Sequence, residues 1–215
     1  MVDGRQWTVD IPMKIICIGR NYVEHAQELK NEVPTEPVFF LKPDTALLPK
    51  QRNFYLPEFS NDIHHEVELV LKICKEGKHI EEKFAHRYYD EISVGIDFTA
   101  RDIQQKQKEK GLPWEPAKAF DHSAPVGEFI PLSKITDLQK INFHLDINGK
   151  TVQQGINELM IFSFDKIISY VSKFITLKKG DLIFTGTPKG VGQVHANDLL
   201  ETYLEGNKLL TVRVS

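Results

Sequence analysis

The chain has two cysteines, no apolar run long enough to cross a bilayer, no dense block of basic residues and no internal repeat or low-complexity linker. The cysteines, Cys17 and Cys74, both lie in apolar strand-like runs. They are too few for the disulfide framework of a small secreted scaffold and read as reduced core thiols in a reducing cytosol. The longest apolar stretches, such as KIICIG and LIFTG, fall far short of the roughly 20 residues that a membrane helix needs. No basic start followed by an apolar segment and a small-residue cleavage site is visible, so export is not expected and the protein is read as cytoplasmic, with no membrane partner. With 30 acidic against 27 basic side chains, the basic ones dispersed, nucleic acid is not an expected partner. A GxSxG elbow and a GxxxxGK[ST] phosphate loop are both missing, which removes the serine-hydrolase and P-loop readings. At 215 residues the chain is expected to form one domain, 1–215, with a substantial core.

What is present is mostly strand. KIICIG (14–19) is a short β-branched run, after which Asn21 and Glu24 are spaced as a capping box for a helix through about Lys30. PVFFLKP (37–43), HHEVELVLKI and ISVGIDF read as further strands. Thr99 and Asp102 are spaced for a second capping box, and Gly111 and Pro113 should stop the helix it opens. WEPAKAFDHSAPVGEF reads as a loop or irregular strand, too rich in proline for a central ladder position. Asn148-Gly149 between two strand-like runs predicts a hairpin, and a turn is expected at Gly206-Asn207. FDKIISYVSKFI sets Phe164, Ile167, Ile168, Val171, Phe174 and Ile175 at helical spacing, which predicts an amphipathic helix packed on the core. Strands outnumber helices and do not alternate with them regularly, favouring an α+β fold with a β-rich core.

Chemistry is indicated by carboxylates in apolar company. Alternation along HHEVELVLKI puts Glu66 and Glu68 on one strand face, and Asp97 closes another apolar strand. Three oxygen donors suit Mg²⁺ or Mn²⁺; spacing alone favours a wetted strand face and a turn-capping Asp97. His64 shares the predicted face, which would admit a softer metal. His25 and Glu28, three apart, could pair as a water-activating dyad or as a routine surface ion pair. Lys118 in the PAKAF loop is either an oxyanion partner or a solvated charge. TGTPKGVG (185–192) reads as a tight loop whose amides and Thr187 hydroxyl face a small anion.

GRNYxxHxxE, FLKP, HHExE, GIDFTARDxQ, GLPWxxAKxFD and TGTPKGVG occur in one order along nearly the whole chain. This set resembles the fumarylacetoacetate hydrolase family, and within it the short single-domain branch that includes acylpyruvases and oxaloacetate decarboxylases. The resemblance implies a β-rich mixed-sheet roll, assembled as a homodimer. It also implies one Mg²⁺ or Mn²⁺ held by Glu66, Glu68 and Asp97, and a His25–Glu28 dyad on a short helix over the site. Lys118 and Gln104 are implied as contacts of the substrate or attacked carbonyl, Thr187 as a keto-acid contact and Arg20 as a carboxylate contact. The implied activity is metal-dependent cleavage of small β-keto acids: hydrolysis of acylpyruvates to pyruvate and a carboxylic acid, decarboxylation of oxaloacetate, or both, through an enolpyruvate. The alternatives are isomerisation or decarboxylation of 2-hydroxyhepta-2,4-diene-1,7-dioate in aromatic catabolism, and an inactive metal-binding homologue.

Overall fold

The computed structural model describes residues 14–28 and 32–215. In chain order the elements begin with β1 (Ile15–Gly19), α1 (Val23–Glu28), β2 (Val38–Lys42), β3 (Ile63–His65), β4 (Val67–Ile73) and β5 (Tyr89–Ile96). Next come β6 (Thr99–Ala100), α2 (Arg101–Lys110), α3 (Glu115–Lys118), β7 (Ile130–Pro131), β8 (Asn142–Ile147) and β9 (Lys150–Ile156). The chain closes with α4 (Phe164–Phe174), β10 (Leu182–Phe184), β11 (Gly192–Gln193), β12 (Leu199–Leu204) and β13 (Asn207–Arg213). The expected end of the first helix near Lys30 lies outside the described residues.

Six strands form a mixed sheet in the order β2-β1-β10-β4-β5-β7, parallel only between β1 and β10. Its central strands are apolar on both faces because both faces are covered. Ile16, Ile18, Leu69, Leu71 and Ile183 join the main core, whereas Ile15, Cys17, Val70, Leu182 and Phe184 join a smaller cluster. An antiparallel sheet β13-β12-β8-β9 packs β12 and β13 on β5 and β8 on β4, and a three-stranded piece β11-β3-β6 adjoins them. The architecture is α+β with a mixed sheet. Asn148 and Gly149, both at positive φ, make the predicted hairpin turn between β8 and β9.

Several local expectations are corrected. Asn21 does not cap α1. Its side chain is spent on Phe162 and Thr185, donating to their carbonyls at 3.0 and 2.8 Å and accepting from the Phe162 N–H at 2.8 Å. Thr99 does not cap α2 either: the N-cap is Ala100, and Thr99 sits in β6. Gly111, at φ 62, ends α2 as expected, with the Leu112 N–H reaching back to the Gln107 carbonyl. The proline-rich segment is not all loop, since Pro116 opens the single turn of α3. The last hairpin turns at Glu205-Gly206, one residue earlier than expected. On α4, capped by Ser163, the stripe Phe164, Ile167, Ile168 and Val171 is buried, but Phe174 is 58% exposed beside Phe39 and Tyr170.

Candidate active site

Sequence neighbours and strangers meet at one end of the mixed sheet. The strand expected through Glu66 is broken there: β3 pairs with β11 and β6, β4 pairs with β5 and β10, and Glu66 is the hinge between them. The break preserves the expected juxtaposition. The Asp97 N–H donates to the Glu66 carbonyl at 2.8 Å, and Glu68 stands opposite Gly95 in the β4–β5 ladder. Carboxylate oxygens of Glu66, Glu68 and Asp97 consequently lie within 4.8 Å of one another, all buried.

Buried carboxylates this close repel one another unless positive charge intervenes. Lys118 supplies part of it, donating to Glu66 Oε2 at 2.9 Å, Asp97 Oδ2 at 2.7 Å and Thr99 Oγ1 at 2.5 Å. Arg101 donates to Glu66 Oε1 at 2.5 Å and to Gln104 at 2.7 Å. Lys42, wholly buried, lies 2.8 Å from Asp97 Oδ1 as an ion pair. Its hydrogen bonds run instead to the Lys118, Ser123 and Phe98 carbonyls and to Ser123 Oγ. Burial works against the charged form of Lys118, but Asp97 and Glu66 outweigh it and hold the ammonium above its ordinary pKa. Burial likewise opposes ionisation of Glu66, yet Lys118, Arg101 and His25 keep its carboxyl well below the usual range. Glu68 is the exception: burial, then Asp97 and Glu66, push it well above that range, against the opposing pull of the Gly186 N–H at 2.7 Å and of Lys118.

A divalent cation fits what is present. The donors are oxygens only, Asp97 Oδ1 is a buried acceptor with no hydrogen bond, and Glu68 has no cationic partner of its own. Hard oxygen donors select hard ions. Among the described residues no histidine joins the cluster: His64 bonds Asp62 at 2.9 Å and His65 bonds Gln153 at 2.8 Å, so the softer-metal option has no ligand.

The carboxylates form the floor of a cavity of about 30 Å³ whose walls include Arg20, His25, Gln104, Lys108, Trp114 and Thr187. That volume holds one or two waters. His25 is buried on α1, with Nδ1 3.4 Å from Glu28 Oε2. Burial pulls its pKa below the ordinary histidine value, against the opposing pull of Glu66 and Glu28, so the neutral imidazole prevails at neutral pH. With Nδ1–H turned to Glu28, Nε2 carries the free lone pair. Glu28 is tied in turn to the Gly190 N–H at 3.1 Å, and Lys189 pairs with Glu24 at 3.1 Å. The loop amides expected to face a small anion thus face the protein's own carboxylates, Gly186 on Glu68 and Gly190 on Glu28. Only glycine suits position 186, since φ is +105 there and a side-chain Cβ would stand 2.5 Å from that of Asn21.

Of the ten residues singled out from the sequence, eight line this cavity and Glu28 meets the imidazole that faces it, whereas His64 is turned to Asp62. Sequence reasoning missed Lys42, Arg101, Lys108 and Gln153. Gln153 joins His65, the Val67 N–H, Thr187 Oγ1 and the Pro188 carbonyl in one buried junction. A helical-spacing test on TARDIQQKQK would have found Arg101 and Lys108, which share a face with Gln104.

Residues 14–215 match the family model described as fumarylacetoacetate (FAA) hydrolase C-terminal. The chain is 47% identical over 192 residues to oxaloacetate tautomerase FAHD1, mitochondrial, of Mus musculus, covering 89% of this chain and 87% of that protein. It is 43% identical over 194 residues to the mitochondrial oxaloacetate decarboxylase of Dictyostelium discoideum, covering 90% and 89%. Among solved structures, fumarylpyruvate hydrolase from Pseudomonas aeruginosa, in complex with Mn²⁺ and pyruvate, superposes with a TM-score of 0.89 at 36% identity, covering 94% of this chain and 89% of that one.

Proposed function

Because this chain belongs to the fumarylacetoacetate hydrolase family, we propose that it is a metal-dependent enzyme that turns over oxaloacetate and small acylpyruvates through their enol forms. The observation that carries the proposal is the convergence, in one cavity, of an oxygen-only carboxylate cluster, a buried neutral imidazole and a wall of cations. Bound by Glu66, Glu68 and Asp97, Mg²⁺ or Mn²⁺ supplies a Lewis acid for the adjacent carboxylate and oxo oxygens of a 2-oxo acid. Lys42, Lys118 and Arg101 already touch two of the three carboxylates, Glu66 and Asp97. A divalent ion therefore leaves the site with excess positive charge, which an anionic substrate offsets.

The chain's own residues then divide the work. His25 Nε2 takes a proton from C3 of oxaloacetate, the electron pair moves to the C2 oxygen, and return of the proton to that oxygen completes the keto-to-enol change. Decarboxylation breaks C3–C4 instead, leaving the pair on the enolpyruvate and releasing CO₂. With an acylpyruvate, His25 deprotonates water, the hydroxide adds to C4, and collapse breaks the same bond to give a carboxylic acid and enolpyruvate. The His25–Glu28 pair is the observation that supports this hydrolytic reading. Glu28 holds the tautomer; Gln104, Thr187 and Arg20 orient the acid. Lys118 has all three N–H groups engaged, so its contribution is a fixed positive field on the developing enolate or oxyanion.

The test is turnover by purified protein of oxaloacetate, acetylpyruvate and fumarylpyruvate with Mg²⁺ or Mn²⁺, with and without chelator. No rate above the metal-only control on any of the three would overturn the proposal and favour the inactive-homologue reading. A homodimer in a reducing cytosol completes it: exposed Tyr55 and Phe59 are apolar surface for a second copy, and Cys17 and Cys74 are free thiols. Sedimentation should give twice the 24.7 kDa chain mass.

A further inference from the structure

We infer that Lys108, with Arg20, forms a subsite for the distal carboxylate of a dicarboxylic 2-oxo acid and thereby makes the enzyme prefer dianionic to monoanionic substrates. The inference rests on the function proposed above and names the substrate class within it.

The argument begins on α2. Positions 101, 104 and 108 follow the i, i+3, i+7 spacing of one helix face, and Arg101, Gln104 and Lys108 all line the cavity, whereas Lys106, Glu109 and Lys110 are exposed on other faces. The stripe has a direction. Arg101 donates to Glu66 at the cavity floor and to Gln104 beside it, and Lys108 lies a full turn beyond Gln104, about 6 Å further along the axis. Its ammonium stands 5.9 Å from the Trp114 ring, which also lines the cavity. Arg20 approaches from the end of β1, in a left-handed backbone conformation at φ 60 that a non-glycine residue adopts at a cost.

Three cations thus share one wall. Arg101 has a carboxylate partner; among the described residues Lys108 and Arg20 have neither an ion pair nor a side-chain hydrogen bond. Burial, Arg101 and Arg20 bring the Lys108 pKa down to about 8, the consequence of crowding like charges without an anion between them. An acid that places its first carboxylate and oxo group at the floor presents its C4 group to this outer wall. In oxaloacetate that group is a carboxylate, which pairs with Lys108 and Arg20. In acetylpyruvate it is a methyl ketone, which leaves the ammonium unpaired.

Kinetics of the metal-loaded enzyme on oxaloacetate and acetylpyruvate test this, comparing wild type with Lys108→Met, Lys108→Arg and, as a charge control on the solvent face, Lys106→Met. Loss of one charge-assisted contact should raise KM for oxaloacetate by about tenfold or more in Lys108→Met, with kcat within about threefold. The ratio of kcat/KM for oxaloacetate to that for acetylpyruvate should fall by a similar factor. Lys108→Arg should restore it and Lys106→Met should not change it. Equal losses on both substrates, an unchanged KM for oxaloacetate, or a wild type that accepts acetylpyruvate but not oxaloacetate overturns the inference while leaving the proposed function standing. A wild type inactive on both overturns the function itself.

Discussion

At the scale of single residues, the site is a set of groups whose ionisation is decided by neighbours. His25 is the clearest case. Burial depresses its pKa, so the imidazole stays unprotonated below the ordinary histidine value of about 6.5 and gains its proton only as pH falls further. The acid limb of kcat should therefore inflect below pH 6.5. His25→Ala should abolish that limb and lower kcat by about 10²–10⁴-fold, while Mn²⁺ affinity from calorimetric titration stays within a few-fold of wild type. A limb that survives in His25→Ala assigns the base elsewhere. Glu68 has the opposite sign. Its folded pKa is raised by burial, Asp97 and Glu66, so in metal-free protein its stabilising contribution is complete below the unfolded value near 4.3 and is lost as pH rises through the folded value. Glu68→Gln should then melt higher than wild type at pH 8 in chelator, yet bind Mn²⁺ at least ~100-fold more weakly, since even supporting partners of metal ligands are worth 10–100-fold. Unchanged Mn²⁺ affinity would remove Glu68 from the ligand set. Glu66, Glu68 and Asp97 could be read from the sequence because strand alternation and an apolar setting make a carboxylate conspicuous. Lys42 could not: a lysine on an edge strand reads as a solubilising charge, and its partners, the Phe98, Lys118 and Ser123 carbonyls, lie more than 50 residues away.

At the scale of elements, short pieces are held by long-range contacts more than by their own propensities. The described part of α1, Val23–Glu28, is six residues, against the roughly 12–15 that an isolated helix needs, and it carries the dyad. Asn21 fixes where it starts by stitching the end of β1 to Phe162 and Thr185, while Gly190 and Lys189 fix its far side through Glu28 and Glu24. This explains why both capping-box readings missed. The spacings at Asn21 and Thr99 are real, but tertiary partners compete for the same side chains, Phe162 and Thr185 for the first and Lys118 for the second. Strands and the Asn148-Gly149 hairpin were legible because period-two patterning and a positive-φ pair are local signals. The break at Glu66 was not, because it depends on β6 and β11 claiming β3. Replacing Asn21 by alanine strands the buried Phe162 N–H and two carbonyls, which should cost about 3 kcal/mol in urea unfolding at unchanged m-value. It should also lower kcat by displacing His25. A loss of stability below about 0.5 kcal/mol would show that α1 is anchored by other contacts.

At the scale of the whole molecule, the two-sided mixed sheet delivers residues from positions 20 to 187 to a single end, and this is why the ordered motifs identified the family better than any one of them did. At that end Glu66, Glu68, Asp97, Lys42 and Lys118 are all buried together. Concentrating so many ionised groups in a low-dielectric interior is favourable only when the set is balanced, and breaking the balance is expensive. The metal is therefore expected to be part of the fold's stability as well as of its chemistry. Linkage sets the size: free Mn²⁺ at 100 times its dissociation constant stabilises the folded state by about 2.7 kcal/mol. For a chain of this length each kcal/mol moves Tm by about 2–4 °C, so Tm should rise by roughly 5–11 °C over the chelated protein. The rise should persist in His25→Ala, whose ligand set is intact, and disappear in Glu68→Gln. Scanning calorimetry across a Mn²⁺ titration decides it, and a Tm indifferent to the ion in wild type would mean that Lys42, Lys118 and Arg101 alone balance the carboxylates.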